Sequence, residues 1–487
     1  MKAVVIGSGI AGIATSIRLA RKGYQVIVCE ANAYPGGKLT AFDQEGFRFD
    51  AGPSLFTLPE LVDDLFRLCG RTPESAFRYR TLDIACKYFW EDGTRLTAYT
   101  DPDRFAQEVE DKLQVPASRV HDYLQHVSSL YRYNANLFMK RSLHRWSTYF
   151  SADVARALFR VHTFNLTRSM HAVNEERLQE PHLVQLFDRM ATYNGSSPYL
   201  APGVLNIIAH LEHNGGTYLP EGGMHAITTS LVELAREQGV DFRLNTPVKS
   251  IDTQGKRVLG VSTESGAISA DLVVSNMDVV PTYRKLLPNE PAPEKRLKQE
   301  RSSSAVIFYW GINRSFPELD LHSIFFSDDY QEEFRHLFES KTLYHDPTVY
   351  VNITSKYEPG DAPEGQENWF VMVNAPANHG QDWDALIAQA RESVVTKLSR
   401  ILGVSLQDHI VCESILEPRI LEARTSSFRG ALYGSSSNNR FSAFLRHPNF
   451  SQRLKGLYFC GGSVHPGGGI PLCLLSAQIV DGLVPAP

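Results

Sequence analysis

Three glycines near the beginning of the chain, Gly7, Gly9 and Gly12, have the spacing Gly-x-Gly-x-x-Gly. They stand between an apolar run at residues 3–6, which predicts a buried strand, and residues 11–22, whose helical periodicity predicts a helix. In this context the first glycine permits a tight turn, the second lets the backbone approach a diphosphate, and the third lets the helix pack closely on the strand. The motif therefore predicts a nucleotide-binding turn.

A second predicted strand, residues 25–29, ends at Glu30 and is followed by Ala31. A carboxylate at this position accepts hydrogen bonds from the ribose hydroxyls of adenosine and repels a 2′-phosphate, so NADP is disfavoured. The free N–H groups at Ile10 and Ala11, together with the helix dipole, would face the diphosphate. These residues predict an adenosine dinucleotide, and they do not separate NAD from FAD.

A Gly36-Gly37 pair lies a few residues beyond the acid, between Pro35 and Lys38. This arrangement resembles the glutathione-reductase-like flavoproteins, in which a second backbone turn passes beside the FAD diphosphate. Lys38 would supply a cation that can pair with a phosphate. The predicted cofactor is therefore FAD.

Two further segments have small residues where a flat ring could lie against the backbone. Proline and small residues follow a strand at residues 47–50, and a glycine-rich turn lies between a strand at residues 457–460 and a final apolar helix. Such glycine density is conformationally costly, and an approaching ligand explains it. The start of the last helix would direct its positive dipole toward flavin N1–C2=O. The residues predicted to contact the cofactor here are Pro53, Ser54, Leu55, Gly461, Gly462, Gly468, Gly469, Ile470 and Pro471. We interpret His465, within the turn, as a structural residue rather than a base.

The composition limits the function classes. The chain has 487 residues, which suits two or three packed units, and its net charge is −5. The sequence has no basic stripe with interleaved aromatic residues, so nothing in it indicates nucleic-acid binding. The six cysteines have no CxxC spacing, so the sequence indicates neither a metal site nor a disulfide framework, and a reduced, cytoplasmic setting is expected. The chain begins like a signal peptide, but the glycine motif lies within that segment, and no apolar stretch is long enough to predict a spanning helix.

Taken together, the motifs resemble bacterial-type carotenoid desaturases, the phytoene desaturase family within the amine-oxidase-like flavoproteins. The resemblance spans almost the whole chain. It rests on the N-terminal motif, on residues 50–53 (Asp-Ala-Gly-Pro), on residues 221–224 (Glu-Gly-Gly-Met) and on residues 465–471 (His-Pro-Gly-Gly-Gly-Ile-Pro). The Gly-Gly-Gly-Ile-Pro-Leu-Cys ending at residues 467–473 is more similar to the hydroxycarotenoid 3,4-desaturase branch than to the branch that forms lycopene from phytoene.

The expected fold class is α/β, with a Rossmann-like FAD-binding domain of the amine-oxidase and glutathione-reductase-like type. Residues 1–85, 215–300 and 450–487 are expected to form this domain. Residues 301–449 are predicted to form an inserted, mainly β-sheet substrate domain, whose strands are interrupted by one predicted helix from Trp383 to Leu402. Residues 86–214 are predicted to form a helical cap with a face that could associate with a membrane.

The resemblance implies further cofactor contacts at Val248, Asn276 and Leu432. It implies a lipophilic carotenoid as substrate, and a protein that associates peripherally with the inner face of the membrane. Desaturation needs a hydride to reach flavin N5 and a proton to leave the neighbouring carbon, with the developing cation delocalised along the polyene. We therefore expect no readable catalytic acid or base. The charged residues at 130–215 are interpreted mostly as solvated faces and cap salt bridges.

Several alternatives stay open at this point. A phytoene-to-lycopene desaturase, a flavin amine oxidase and a flavin-dependent carotenoid isomerase share the N-terminal signals. A module that only stores FAD is disfavoured by the size of the predicted substrate domain. The terminal electron acceptor, oxygen or a quinone, is not encoded in any motif.

Overall fold

The computed structural model describes residues 1–150, 164–439 and 444–487. Its strands are β1 (Lys2–Ile6), β2 (Gln25–Cys29), β3 (Ala41–Gln44), β4 (Phe47–Asp50), β5 (Tyr79–Thr81), β6 (Ile84–Phe89), β7 (Arg95–Tyr99), β8 (Tyr218–Pro220), β9 (Asp241–Arg243), β10 (Val248–Gln254), β11 (Arg257–Thr263), β12 (Gly266–Ser269), β13 (Leu272–Ser275), β14 (Ser304–Ile312), β15 (His322–Phe325), β16 (Val349–Asn352), β17 (Glu367–Ala375), β18 (Ile410–Leu416) and β19 (Leu457–Phe459).

The helices within the same residues are α1 (Ile10–Arg21), α2 (Glu60–Leu68), α3 (Pro102–Leu113), α4 (Ala117–Phe138), α5 (Trp146–Tyr149), α6 (Met170–Leu178), α7 (Pro181–Asp188), α8 (Ile207–His213), α9 (His225–Glu237), α10 (Val279–Pro281), α11 (Glu294–Leu297), α12 (Tyr330–Arg335), α13 (Trp383–Leu402), α14 (Pro418–Thr425) and α15 (Ile470–Leu483).

A five-stranded parallel sheet in the order β19-β13-β1-β2-β9 carries the glycine motif. Strand β1 lies at its centre, and the apolar side chains of β1, β2 and β13 are buried because helices cover the sheet. Helix α1 packs against α9 and α15. The beginning, the middle and the end of the chain thus build one doubly wound unit, and the predicted α/β fold is confirmed.

A seven-stranded mixed sheet in the order β18-β14-β17-β16-β15-β6-β7 forms the second unit. Successive side chains of β14 point to opposite faces, as strand geometry requires. Val306, Phe308 and Trp310 pack into the core beneath α13, whereas Ile307 and Tyr309 belong to a separate cluster on the other face. One face of the sheet is therefore a closed core, and the other face is free to border a cavity.

The sequence prediction of a helical cap beginning at residue 86 is wrong for its first part. Residues 84–99 form β6 and β7, which extend the seven-stranded sheet. Asp92-Gly93 in the connection is a hairpin signal, and the alternation of apolar residues in Arg95–Tyr99 also indicates a strand. Both signals were outweighed by the helical periodicity that follows. From Pro102 to His213 the described elements are helical, and α3, α4, α6 and α7 pack on β6, β7 and β15.

Candidate active site

A single large cavity of about 1450 Å³ extends from the glycine motif to the free face of the seven-stranded sheet. Pockets for one drug-sized ligand occupy about 300–1,000 Å³, so this cavity has room for a cofactor and a further ligand. It is lined by nearly all of the residues predicted to bind the cofactor: Gly7, Gly9, Ile10, Ala11, Glu30, Ala31, Gly36, Gly37, Lys38, Pro53, Ser54, Leu55, Val248, Asn276, Leu432, Gly461, Gly462, Gly468, Gly469, Ile470 and Pro471.

Gly12 is the predicted residue that does not line the cavity. A Cβ on Gly12 would lie 2.2 Å from the carbonyl oxygen of Gly7, so a side chain would separate α1 from the turn. A Cβ on Gly9 would lie 2.7 Å from Asn276 Oδ1. Asn276 thus packs on the glycine turn, and its Nδ2 also donates to the Cys460 carbonyl at 3.2 Å. The Asn276 amide therefore lies between the N-terminal glycine turn and the C-terminal one.

The Glu30 carboxylate is buried and already ordered by the chain. Oε2 accepts hydrogen bonds from the backbone N–H of Ser8 at 2.7 Å and from its hydroxyl at 2.8 Å. Oε1 accepts from the backbone N–H of Asn32 at 2.9 Å. Asn32 Nδ2 also donates to Oε1 at 3.0 Å, so the two lone pairs of each oxygen are occupied. A ribose hydroxyl would therefore take the place of one side-chain donor, Ser8 Oγ or Asn32 Nδ2.

The second glycine motif lies directly beside the first. Gly36 donates its N–H to the Ser8 carbonyl at 2.8 Å and has φ +109°, a conformation that favours glycine. The ammonium of the following Lys38 donates to the Leu432 carbonyl at 2.7 Å. Burial lowers the pKa of Lys38 to about 8. Lys38 therefore connects two of the predicted cofactor-binding segments, and its contact with a phosphate stays a prediction.

The C-terminal glycine turn, residues 461–469, forms the opposite side of the predicted FAD site, which we call the cradle. A Cβ on Gly468 would lie 2.7 Å from the ring of Tyr433, so only a glycine leaves this wall smooth. Helix α15 begins just after it, and no side chain caps its start at Gly469. The start of α1 at Gly9 is likewise without a side-chain cap. Two helix N-termini therefore direct their positive dipoles at the cavity.

Arg446, which the sequence analysis missed, adds a full positive charge at this end. Its guanidinium is buried and donates to the Tyr433 carbonyl at 2.7 Å and to the Gly462 carbonyl at 3.3 Å. Among the described residues no carboxylate pairs with it. Burial lowers its pKa to about 10, so it remains charged near neutral pH. These residues fit FAD. Glycines leave the wall of the site free of side chains, two helices begin there without a side-chain cap, Glu30 can accept ribose hydroxyls, and Arg446 supplies a positive charge that no described carboxylate pairs with.

The remainder of the cavity is bordered mainly by apolar and aromatic side chains. They come from the free face of the sheet and from the helical cap, which together border an apolar space next to the predicted cofactor site. These residues are Ile307, Tyr309, Phe370, Met372, Phe138, Val204, Leu205 and Ile208. Such a surface can bind a lipophilic chain and exclude water from it.

Two charged residues of the cap form one of the expected salt bridges, but they also line the cavity, which the sequence interpretation did not include. Arg189 and Glu212 are buried and form an ion pair at 3.1 Å. Tyr193 bonds to both partners, since it donates to Glu212 Oε2 at 2.5 Å and accepts from Arg189 Nη1 at 2.7 Å. Because Arg189 and Glu212 lie on different elements, no local spacing could have revealed that they meet.

A second polar group on the cavity wall was also missed. The Tyr350 hydroxyl lies 2.8 Å from Ser54 Oγ and 2.8 Å from His322 Nδ1. Burial lowers the pKa of His322 to about 4, so the ring is neutral near pH 7. These residues lie on β15, on β16 and after β4, far apart in sequence.

His465 occupies the position expected from its structural interpretation. Its Nε2 lies 2.8 Å from the Arg141 carbonyl, and its backbone N–H bonds to the His447 carbonyl. Burial lowers its pKa to about 4. The ring thus fastens the glycine-rich turn to the cap.

Comparisons with known proteins agree with this geometry. The chain matches the model of the family described as flavin containing amine oxidoreductase over residues 10–480. It is 51% identical over 484 residues, 99% of each chain, to a 1-hydroxycarotenoid 3,4-desaturase from Flavobacterium sp. (strain P99-3). It is 31% identical over 488 residues, 98% of this chain and 96% of the relative, to a 4,4'-diaponeurosporene oxygenase from Staphylococcus aureus (strain MSSA476).

Solved structures show the same fold at low identity. An oxidoreductase from Methanosarcina mazei has a TM-score of 0.64 at 16% identity, over 99% of both chains. Cyclohexylamine oxidase from Brevibacterium oxydans IH-35A has a TM-score of 0.62 at 14% identity, over 99% of this chain and 98% of that chain. The predictions of a flavin enzyme, of FAD as its cofactor and of kinship with carotenoid desaturases are thereby confirmed. The chain belongs to the flavin-containing amine oxidoreductase family.

Proposed function

We propose that the protein is an FAD-dependent desaturase that introduces the 3,4 double bond of a 1-hydroxycarotenoid. The observation that carries the proposal is the continuous cavity, which joins the FAD cradle to a long apolar wall. The relative at 51% identity over nearly its whole length supports the substrate class. The coarser assignment, an FAD-dependent oxidoreductase, holds whichever polyene is the substrate.

Bound FAD supplies a hydride acceptor at N5. The residues of the chain have three other tasks: to bind the polyene, to orient the reacting bond and to keep water out. Ile307, Tyr309 and Phe370 provide one apolar wall, and the cap provides the other. The hydride and the proton leave adjacent carbons, so the product is two hydrogens lighter. Because a delocalised cation is strongly acidic, a weak acceptor such as one water molecule suffices for the proton, and we assign this step to no residue of the chain.

We further propose that the protein works at the inner face of the cytoplasmic membrane, from which a lipophilic substrate would enter. Within the described ranges, no helix has both the length and the apolar character that crossing a bilayer requires. Flotation with phospholipid vesicles at moderate salt tests the membrane contact, and protein that remains at the bottom of the gradient would argue against it. Oxygen and a quinone are the two proposed electron acceptors, and anaerobic turnover with an added quinone would tell them apart.

Expression in cells that accumulate a defined carotenoid tests the reaction. We expect a red-shifted pigment, two hydrogens lighter, from the 1-hydroxylated polyene. Conversion of phytoene would move the enzyme to the lycopene-forming branch, and a product of unchanged mass would indicate an isomerase. A product one oxygen atom heavier would instead match the name of the staphylococcal relatives.

A further inference from the structure

We propose that Ser54, Tyr350 and His322 form a subsite that binds the 1-hydroxyl group of the substrate and so positions the bond to be oxidised. The inference rests on the proposed function, because it concerns how the same cavity selects a hydroxylated polyene. We call these three side chains the hydroxyl subsite.

The three side chains form a chain of hydrogen bonds. The Tyr350 hydroxyl lies 2.8 Å from His322 Nδ1 and 2.8 Å from Ser54 Oγ. Asn352 Nδ2 lies 3.2 Å from the same His322 nitrogen, whose single lone pair can accept only one of the two donors fully. In either tautomer of His322, the one bond to Tyr350 leaves Ser54 Oγ with hydrogen-bonding capacity for a further O–H group.

The cavity lining also contains residues with polar atoms that the protein does not satisfy. Within the described residues, His322 Nε2 and the Tyr330 hydroxyl are buried without a hydrogen-bond partner. Both residues contribute to the cavity lining. Buried polar atoms are seldom left unpaired, and a ligand oxygen or an ordered water usually explains those that are. The wall near the hydroxyl subsite is therefore suited to an oxygen-bearing group rather than to a plain hydrocarbon.

The position of Ser54 in the chain connects this subsite with the reacting bond. Ser54 belongs to the segment Pro53-Ser54-Leu55, for which we propose contact with the flavin ring, and it lines the cavity between the cradle and the sheet. In a 1-hydroxycarotenoid, three covalent bonds separate the hydroxyl oxygen from C3. A hydroxyl held at Ser54 would consequently bring C3 and C4 close to the cofactor, whereas a central part of the polyene could not satisfy the subsite.

The charged residues of the cap make this end of the cavity rigid. Arg189 donates to the Tyr88 hydroxyl at 2.9 Å as well as to Glu212, so the ion pair is fixed from several sides. We leave this pair intact in the test, because removing one member of a buried ion pair destabilises the fold by several kcal/mol. The hydroxyl subsite is uncharged, and its members can be changed singly.

The test is a competition in phospholipid vesicles that contain equal amounts of a 1-hydroxylated polyene and the same polyene without the hydroxyl. The ratio of the two products reports the ratio of kcat/KM values, independently of how much enzyme is active. Ser54→Ala and Tyr350→Phe remove the acceptor and its fixed partner. Tyr283→Phe is the matched control, since the Tyr283 hydroxyl is likewise buried beside a histidine nitrogen, 3.3 Å from His447 Nε2, but Tyr283 does not line the cavity.

We expect the wild-type protein to prefer the hydroxylated polyene. Each subsite variant should lower this preference about ten-fold, as the loss of one hydrogen bond to a substrate does, and the control should keep it. Unchanged ratios in both variants, with product still formed, would overturn the subsite and leave the desaturase assignment standing. An equal fall in Tyr283→Phe would also overturn it, by showing a general effect of losing a buried tyrosine hydroxyl. If FAD-loaded wild-type protein desaturates neither polyene, the proposed function itself fails.

Discussion

Lys38 and Leu432 are joined across the cavity, because Lys38 Nζ donates a hydrogen bond to the Leu432 carbonyl oxygen at 2.7 Å. The first residue follows the second glycine motif, and the other lies almost four hundred positions later in a loop of the substrate unit. The contact fixes a buried cation between the two halves of the cradle. The effect of this cation on the stability of the fold can be measured separately from its effect on cofactor binding.

Removing this cation should change the pH dependence of stability in the FAD-free protein. Burial lowers the pKa of Lys38 from 10.5 to about 8. Between these values the unfolded chain binds a proton that the folded chain has released, so the free energy of unfolding rises with pH in this window. Urea denaturation below pH 8 and near pH 10 should show a smaller rise for Lys38→Met. The exposed Lys256→Met variant is the control, and an identical rise in all three proteins would contradict the prediction.

Glu30→Ala should lose most of its FAD. A charge-assisted hydrogen bond contributes about 1.5–3 kcal/mol, so we expect affinity to fall about 10- to 100-fold. Glu30→Gln keeps an acceptor and should lie between wild type and alanine. Flavin content after purification and titration of the apoprotein with FAD provide the measurements. A Glu30→Ala protein that purifies with its full flavin content would disprove the ribose contact.

Gly468→Ala should weaken both folding and cofactor binding. The new methyl group would lie 2.7 Å from the Tyr433 ring and 2.9 Å from its Cα, and such overpacking costs about 1–3 kcal/mol. Gly482→Ala is the matched control near the end of α15, where a Cβ would meet nothing within 4 Å. It should stabilise the helix by about 0.4–1 kcal/mol. Melting temperatures that move in the same direction in both variants would refute this steric explanation.

Arg446→Met should lower the midpoint potential of bound FAD. A buried guanidinium beside Gly462 would stabilise the negative charge that reduced flavin gathers at N1–C2=O if the ring lies against this turn as we predict, and no described carboxylate pairs with it. For a two-electron couple, each ~1.4 kcal/mol lost corresponds to roughly 30 mV, and we expect at least this shift. Arg446→Lys should recover much of the potential. Equal potentials in dye-equilibration titrations, at equal flavin content, would exclude the charge effect.

Contiguous motifs could be interpreted correctly from the sequence. Helix α13 has the predicted bounds, Trp383–Leu402, because Asp382 caps its start and Gly403, with φ +67°, ends it. The segments that form the cradle could also be recognised in the sequence, since each glycine turn lies in one short segment beside a predicted strand. Local signals of this kind need no knowledge of the partner segments.

The polar parts of the cavity wall could not be predicted from local sequence signals. Ser54, His322 and Tyr350 come from three segments that are distant in sequence, and only the order of the strands brings them together. Strand β6, which directly precedes the helical cap, also joins this sheet by pairing in parallel with β15. Charged residues such as Arg189 and Glu212 are usual on a solvated helix face, and only their burial in the structure shows that they do not belong to one. The hairpin β6–β7 was missed for another reason: its signals are short, and strong helical periodicity follows directly.

The order β19-β13-β1-β2-β9 has a consequence for biosynthesis. The edge strand β19 and the helix α15 are translated long after α1, although α15 packs on α1. A nascent chain that has not yet reached α15 lacks one wall of its nucleotide domain, and contacts of such high sequence separation form slowly. Cofactor capture must wait for these two elements, so every new molecule passes through a flavin-free stage in which chaperones and proteases meet an open cavity.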